Sequence, residues 1–210
     1  MVKKQTILLF PCNGNAIEAL DAAQADYEVI GFVDDTPSKQ DAGWNGIPVY
    51  DRTAFQRFPE AKILAVPGSP SSFQKRNEII AQLNISDDRW ATVVHPAAQV
   101  SAYAKLGKNT LIMAGVVLTA TAEVGDHVCI LPNSVIHHDS KVGDYTLVGS
   151  GVVVAGYTHI GERCYIGSKT SIINNVSIGS GTLIGIGSNV ISSIPENDKF
   201  VGNPAKSILK

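Results

Sequence analysis

The sequence predicts a two-part chain: a small α/β domain followed by an all-β parallel β-helix. Every sixth residue from Val94 to Val190 is Val, Leu or Ile. Four places after each comes a small or compact side chain, as at Thr110, Ser134, Ser140, Cys164 and Ser188. Before this run, short apolar stretches alternate with helical patterns. A period of six is three strand steps, so it marks short strands separated by regular corners, the pattern of a hexapeptide solenoid. A β-sandwich is the competing reading. It needs hairpin loops of varied length, and this run takes no insertion or deletion.

The first domain, residues 1–93, opens with Thr6-Ile-Leu-Leu-Phe10, a compact apolar run expected as a buried strand. A tight loop, Pro11 to Asn15, leads to a helical pattern from Ala16 to about Ala25. A second apolar run, Tyr27 to Val33, ends in Asp34-Asp35. Acidic side chains at the end of a second parallel strand often hold ribose or base groups in mononucleotide folds. Gly43 to Pro48 has the chemistry of a reversal, with Asn45-Gly46 its strongest signal. Ala61 to Val66 is expected as a third strand, followed by the loop Pro67-Gly68-Ser69-Pro70 and a helix from Ser71 to Leu83. A fourth strand, Trp90 to Val94, leads into His95-Pro96 and the second domain, residues 94–210. Together these elements predict a mostly parallel sheet. The loop at Asn13-Gly14-Asn15 lacks a full G-x-G-x-x-G, with Pro11 where the first glycine would stand. It either binds a nucleotide or merely closes a strand-to-helix turn.

In the second domain a glycine directly follows the aliphatic residue in eight hexads, among them Gly107, Gly143 and Gly167. It is expected to serve a bend or a positive φ. The net charge of −2 and the lack of any Lys/Arg block argue against nucleic acid or an anionic membrane as the main partner. Cys12, Cys129 and Cys164 have no metal-ligand spacing, and no segment reads as a secretory signal or a bilayer span. A cytoplasmic protein with a small-molecule partner is the expectation.

Val142-Gly-Asp-Tyr-Thr-Leu147 and Ile166-Gly-Ser-Lys-Thr-Ser171 resemble the repeats of the hexapeptide acyltransferases, whose β-helix is left-handed. The hand comes from the resemblance, because crossover rules alone give the opposite one. Over the whole chain, the order of a short α/β domain, a His95-Pro96 junction and a column ending in Val201-Gly-Asn-Pro-Ala-Lys206 resembles the sugar N-acetyltransferases of the bacillosamine and perosamine pathways. It also resembles their sialic acid O-acetyltransferase relatives. The resemblance implies a Rossmann-like N-terminal domain that holds a nucleotide-linked sugar through Asn13, Gly14, Asn15, Asp34 and Asp35, with Gly68 and Ser69 in the same substrate-binding set. The chain departs from the family at Pro11 and at Asn15, where relatives carry a glycine and a histidine. A carboxamide can still donate or accept a hydrogen bond there.

His137 and His138 break the hexad most clearly, since His137 stands where other hexads hold glycine. Val135-Ile-His-His-Asp139 resembles the family segment whose central histidine is the catalytic base, which implies His138 in that role. Imidazole titrates near neutrality and can take the proton of an attacking amine, and Asp139 beside it favours the charged form. Neighbours on an ideal strand face opposite ways, so a direct His138–Asp139 bond requires a corner. Three sequential residues converge poorly on one ion, so no metal is expected at His137, His138 and Asp139. His127, His159 and His95 read as structural or solvated, and Cys164 as packing.

The resemblance further implies acetyl-CoA as cosubstrate with no tightly bound cofactor, held mainly by the main chain at Leu147, Gly156, Ser168 and Ile186. Gly156 would supply an N–H for developing oxyanion charge. Leu147 stands where some relatives have a histidine. Lys169, Arg163 and Lys206 are candidate phosphate partners. Outward apolar groups at Met113, Leu131, Tyr145, Tyr165 and Ile173 are expected to be buried in a homotrimer with active sites between subunits. The implied activity is acetylation of a nucleotide-linked amino sugar, a 4-amino-4,6-dideoxyhexose for a surface glycan. The rivals are O-acetylation of sialic acid or a related sugar, and a catalytically idle nucleotide-sugar binding or scaffold protein.

Overall fold

A computed structural model describes residues 4–209. Four parallel strands, β1 (Gln5–Phe10), β2 (Tyr27–Val33), β3 (Val49–Tyr50) and β4 (Lys62–Ala65), form a sheet in the order β3-β2-β1-β4. The central strand β1 is buried on both faces. Ile7 and Leu9 join a core that continues into the second half of the chain, while Leu8 and Phe10 pack with Phe55, Ile80 and Leu83. The helical stretch expected from Ala16 begins two residues earlier, because the Asn13 side chain accepts the Ala16 N–H at 3.0 Å and caps it. It divides at Ala19 into α1 (Gly14–Glu18) and α2 (Leu20–Asp26). The reversal at Asn45-Gly46 forms, with both residues at positive φ and an antiparallel bridge between Trp44 and Ile47.

Three elements lie outside the sequence reading, among them α3 (Pro37–Ala42), with proline in its first turn, and the two-residue edge strand β3. A further short helix, α4 (Ala54–Arg57), follows β3. The helix expected over Ser71–Leu83 is shorter. It enters through a tight turn at Phe73–Lys75 and becomes α5 at Arg76–Ala81. The cause is local, since the Ser72 hydroxyl takes the Ser69 N–H at 3.1 Å and offers the backbone a turn instead. The run Trp90–Val94 is not one strand. Trp90 bridges Ile63 at the edge of β4, whereas Val93–Val94 already pairs with Leu111–Ile112 in the column.

From Val93 onward the chain winds into a three-faced column of parallel two-residue strands, each pairing with the strand one coil later. The second residue of each strand points inward. Ile112, Ile130, Ile136, Val154, Ile166 and Ile184 are fully buried, and each such aliphatic contributes about 1.5–3 kcal/mol. The compact residues of the hexad do more than fit a corner. The hydroxyls of Thr110, Ser134, Ser140 and Thr146 donate to main-chain carbonyls of the following coil at 2.7–3.0 Å. Cys164 occupies the same ladder, its thiol 3.3 Å from Gly179 O and pushed up to about 11 by burial, so it packs and does not react.

Of the two roles expected for the glycines after the aliphatic residues, a bend or a positive φ, the second is not observed: they stand where each strand gives way to a corner, at negative or extended φ. A Cβ at Gly167 would meet Ile186 N at 2.5 Å, and one at Gly143 would meet Gly161 C at 2.6 Å, so the next coil's backbone occupies that space. Positive φ falls two residues later, at all three corners of the column, as at Asn109, Thr121, Asp139, Tyr157 and Lys169.

The three faces differ. One carries Leu111, Cys129, Leu147 and Tyr165 outward and is covered by the N-terminal domain. A second carries Lys105, Glu123, Lys141 and His159, with Glu123 ion-paired to both lysines. The third presents Val117, Val135 and Val153. Met113 is packed within the chain, and Leu131, Tyr145 and Tyr165 are half-buried against it. Met113 is 4 % exposed and Tyr165 lies 6.0 Å from Phe73, while Ile173 remains exposed.

Arg76, fully buried and with no carboxylate beside it among the described residues, fastens the two halves. Its guanidinium donates to Pro67 O, to His127 O at 2.6 Å and to Tyr145 O at 2.9 Å. Asn109 adds a second joint by completing the edge of β4. It accepts the Ala65 N–H at 2.7 Å and donates to Ala65 O at 2.9 Å. His127, expected near the surface, is buried here. It is stacked on Tyr145 at 4.7 Å, lies edge-on to Trp90, and has its ring nitrogen 2.9 Å from Asn109.

Candidate active site

His138 lies at the corner between the charged face and the valine face. Asp139, the next residue, takes φ 57. This left-handed step swings two consecutive side chains to the same side, which an extended strand forbids. The result is a 2.9 Å contact between His138 Nδ1 and Asp139 Oδ2. The His138 hydrogen bond, and after it one from Thr121, hold the Asp139 carboxyl below the usual carboxylate range. With Nδ1 donating to a carboxylate, Nε2 carries the free lone pair. The ring lies over Gly156, one coil on, where a Cβ would meet Cε1 at 2.8 Å and Nε2 at 2.9 Å. Tyr157 stands edge-on to the imidazole at 5.2 Å. His137 is half-buried, its N–H donating to Val154 O at 3.0 Å.

At four corners the N–H two residues after the inward aliphatic is satisfied by an acceptor side chain one coil later. Thus Lys108 N donates to Asp126, Asp126 N to Asp144, Ser150 N to Ser168 and Glu162 N to Ser180. At other corners the donor stays unpaired, Asp144 N–H among them although Glu162 stands one coil later. Among the described residues the N–H groups of Gly156, Ser168 and Ile186 have no partner in the chain. Gly156 sits beneath the His138 ring, whereas Ser168 and Ile186 stack at the corner joining the covered face to the valine face. Leu147 stands apart from them. Its N–H is taken by Cys164 O at 2.9 Å, and its side chain is buried against Gly68. Lys169 is exposed at the Ser168 corner, and Lys206 is exposed on the C-terminal hairpin.

The sugar-site residues group at the other side of the column. Asn15, Gly68 and Ser69 line a cleft of about 200 Å3 with Leu131, Leu147 and Tyr165. Asn13 and Asn15 both direct their carboxamides towards Val66 O, and Gly14 is exposed between them with open space beyond its Cα. Asp34 and Asp35 diverge. Asp34 is buried, accepting Lys39 Nζ at 2.7 Å and Thr36 N–H at 3.0 Å, and Lys39 also donates to Cys12 O at 2.7 Å. Burial alone would raise the Asp34 carboxyl, but these hydrogen bonds outweigh it and hold the group below its ordinary range. Asp35 is exposed and paired with Arg52. The two acids therefore do not face one ligand together.

Within one chain the cleft and His138 stay apart. The cleft lies on the covered face, and His138 occupies the corner opposite it. Sequence reasoning singled out His138, Asp139 and Gly156. It passed over Thr121, Tyr157 and Arg76, whose contacts arise between coils or between domains and have no signal in a linear motif.

The class of protein is now defined. Residues 103–138 and 121–156 match the bacterial transferase hexapeptide family of six repeats, and the column is its left-handed β-helix. The chain carries hexapeptide repeats and is an acyltransferase. It is similar along its length to the acetyltransferase domain of PglB from Neisseria gonorrhoeae, solved with acetyl coenzyme A. The identity is 26 %, covering 98 % of this chain and 100 % of that one, with a TM-score of 0.84. PerB from Caulobacter crescentus, solved with CoA and GDP-perosamine, is 26 % identical over 97 % of this chain and 96 % of its own, with a TM-score of 0.82. WeeI from Acinetobacter baumannii shares the fold at 21 % identity over 98 % of this chain and 100 % of that one, with a TM-score of 0.83. No curated protein sequence matches the chain.

Proposed function

We propose that this chain transfers acetyl from acetyl-CoA to the amino group of a nucleotide-linked amino sugar, a 4-amino-4,6-dideoxyhexose destined for a surface glycan. The observation that carries the reading is the His138–Asp139 pair, set with its free Nε2 above Gly156, whose N–H is unpaired. His138 Nε2 takes the proton from the sugar nitrogen as that nitrogen bonds to the thioester carbon. The carbonyl oxygen gains negative charge and is met by the Gly156 N–H. Collapse expels the CoA thiolate, which receives the proton held by His138, so acetyl passes directly with no covalent enzyme intermediate.

The unpaired amides of Ser168 and Ile186 are suited to the amide groups of pantetheine, and Lys169 to a CoA phosphate. The cleft at Asn15, Gly68 and Ser69, with Asn13, Gly14, Asp34 and Asp35 around it, is assigned to the nucleotide sugar. Since cleft and base lie on opposite sides of one column, the working site joins the cleft of one subunit to His138 of another. A homotrimer closed through the valine face and the exposed Tyr157, Ile173 and Ile191 supplies that junction. No helix among the described residues is long and apolar enough to cross a membrane. A cytoplasmic location accords with the proposed cosubstrates.

The test is acetyl transfer from acetyl-CoA to a panel of nucleotide-linked 3-amino and 4-amino sugars, with free sialic acid alongside. His138→Ala should abolish most turnover and leave nucleotide-sugar affinity nearly unchanged. Turnover of sialic acid alone, or wild-type turnover by the variant, would overturn the reading.

A further inference from the structure

Thr121 holds a backbone conformation that its side chain disfavours. Its φ is 64, and among the described non-glycine residues at positive φ it is the sole β-branched one. The others are Asn, Asp, His, Tyr, Arg and Lys. Branching at Cβ makes this region a genuine outlier, and such outliers persist where the surroundings over-determine them. Here the surroundings are Asp139, one coil on. Thr121 Oγ1 accepts the Asp139 N–H at 3.0 Å and lies 2.9 Å from Asp139 Oδ1, while Oδ2 of the same carboxylate faces His138 Nδ1.

The geometry points to Thr121 as a positioning residue for acyl transfer: it locks the Asp139 carboxylate, which in turn locks the His138 imidazole in its Nδ1–H tautomer. The inference rests on the base role proposed above for His138. A carboxylate held through one oxygen turns freely about its terminal torsion, which is broad and roughly two-fold. Held through both oxygens by different partners, it has one plane. The threonine proton has two oxygens in reach, Ala120 O at 2.5 Å and Asp139 Oδ1, and the ionised one is the stronger acceptor. The main-chain bond from Asp139 N to the same hydroxyl fixes where that proton can point. The other titratable groups around the pair are Tyr157 one coil on, Tyr103 one coil before Thr121, and His137. Tyr157 meets the ring by its edge, leaves Nδ1 to the carboxylate, and acts on the Asp139 carboxylate more weakly than His138 and Thr121 do. The left-handed strain is thus tied to one chemical task, presenting Nε2 with its lone pair outward.

Three variants separate hydroxyl from strain. Thr121→Ser keeps the hydroxyl, Thr121→Val keeps the branch without it, and Thr121→Gly removes both while relieving the backbone. Each is examined for kcat, KM, melting temperature and the 15N shifts of His138 in the unliganded protein. The serine variant should stay within about twofold of wild type. Valine and glycine should lose about tenfold in kcat at unchanged KM, the loss expected for one hydrogen bond to a charged group. Their His138 signals should move from the Nδ1–H tautomer towards a mixture, and the glycine variant should melt no lower than the valine one. A glycine variant with wild-type kcat and an unchanged tautomer overturns the inference, and it does so even if valine misfolds. If His138→Ala retains activity, the acyl-transfer reading fails separately, while the tautomer still reports on Thr121.

Discussion

Replacing Gly156 by alanine probes the site with a single methyl group. The new Cβ would lie 2.8 Å from His138 Cε1, 2.9 Å from Nε2 and 3.2 Å from His138 O. Carbon atoms sit comfortably at about 3.5 Å or more, so the ring must retreat by roughly 0.7 Å. The imidazole is the solvent-facing end of a rotatable side chain, so the fold does not resist. Gly156 is not at positive φ, so alanine brings no backbone strain, and it keeps the main-chain N–H. The variant therefore isolates placement of the base from oxyanion donation. Its kcat should fall by about tenfold to a hundredfold, the penalty for a displacement approaching an ångström. Stability should change by about 1 kcal/mol or less. Release of free thiol from acetyl-CoA, followed beside a thermal melt, reads both. Gly167→Ala is the control, because its Cβ would meet Ile186 N at 2.5 Å and Gly185 C at 2.7 Å, backbone that cannot step aside. That variant should lose about 1–3 kcal/mol of stability. A folded Gly156→Ala enzyme with wild-type turnover would refute the placement of His138 as base.

His127 predicts an acid-sensitive junction between the domains. Burial lowers its pKa from 6.5 to about 4, so as pH falls the unfolded chain takes up the proton first. Its contribution is complete above pH 6.5, declines below that and is gone near 4. The loss is about 3 kcal/mol at 1.36 kcal/mol per pH unit. Urea unfolding at pH 7 and pH 4.5 checks this, and a His127→Gln variant that loses as much as wild type over the interval removes His127 as the cause. Val153→Asp, which puts a charge on the valine face, should convert the proposed trimer to monomer in light scattering and abolish turnover. An unchanged molar mass sinks the proposed assembly face.

How much was legible depends on the range over which each contact acts. The aliphatic spacing disclosed the column because every coil repeats the same inward position. Its glycines were only half legible, because the constraint on them is the next coil's backbone, which a hexad taken alone does not contain. The His138–Asp139 contact needed only a corner between neighbours, and the corner was foreseeable. Thr121 and Gly156 act on that pair from one coil away on either side, so stacking the sequence in threes of the hexad would have brought all four together. The covered face offered no such route. Nothing in Leu131, Tyr145 or Tyr165 tells whether a large outward side chain meets another subunit or the chain's own N-terminal sheet. Arg76 settles that within the chain, through carbonyls that a sequence does not display. Asp34 and Asp35 look like a pair in a linear reading and part only because Lys39 and Arg52 draw them in different directions.

The last turn of the column shows how a repeating structure comes to a stop. Ile194 bridges Ile178 on the charged face, Lys199–Val201 pairs with Leu183–Ile184 on the covered face, and Gly202 O and Ala205 N both bond the main chain of Asn189 on the valine face. One tail thus occupies all three growing edges. Its final strand, Lys206–Ser207, then runs antiparallel to Val201 and Phe200, a direction no further coil can copy. A parallel ladder left open would be a template for end-to-end stacking into filaments. The reversed, lysine-bearing strand makes the molecule finite.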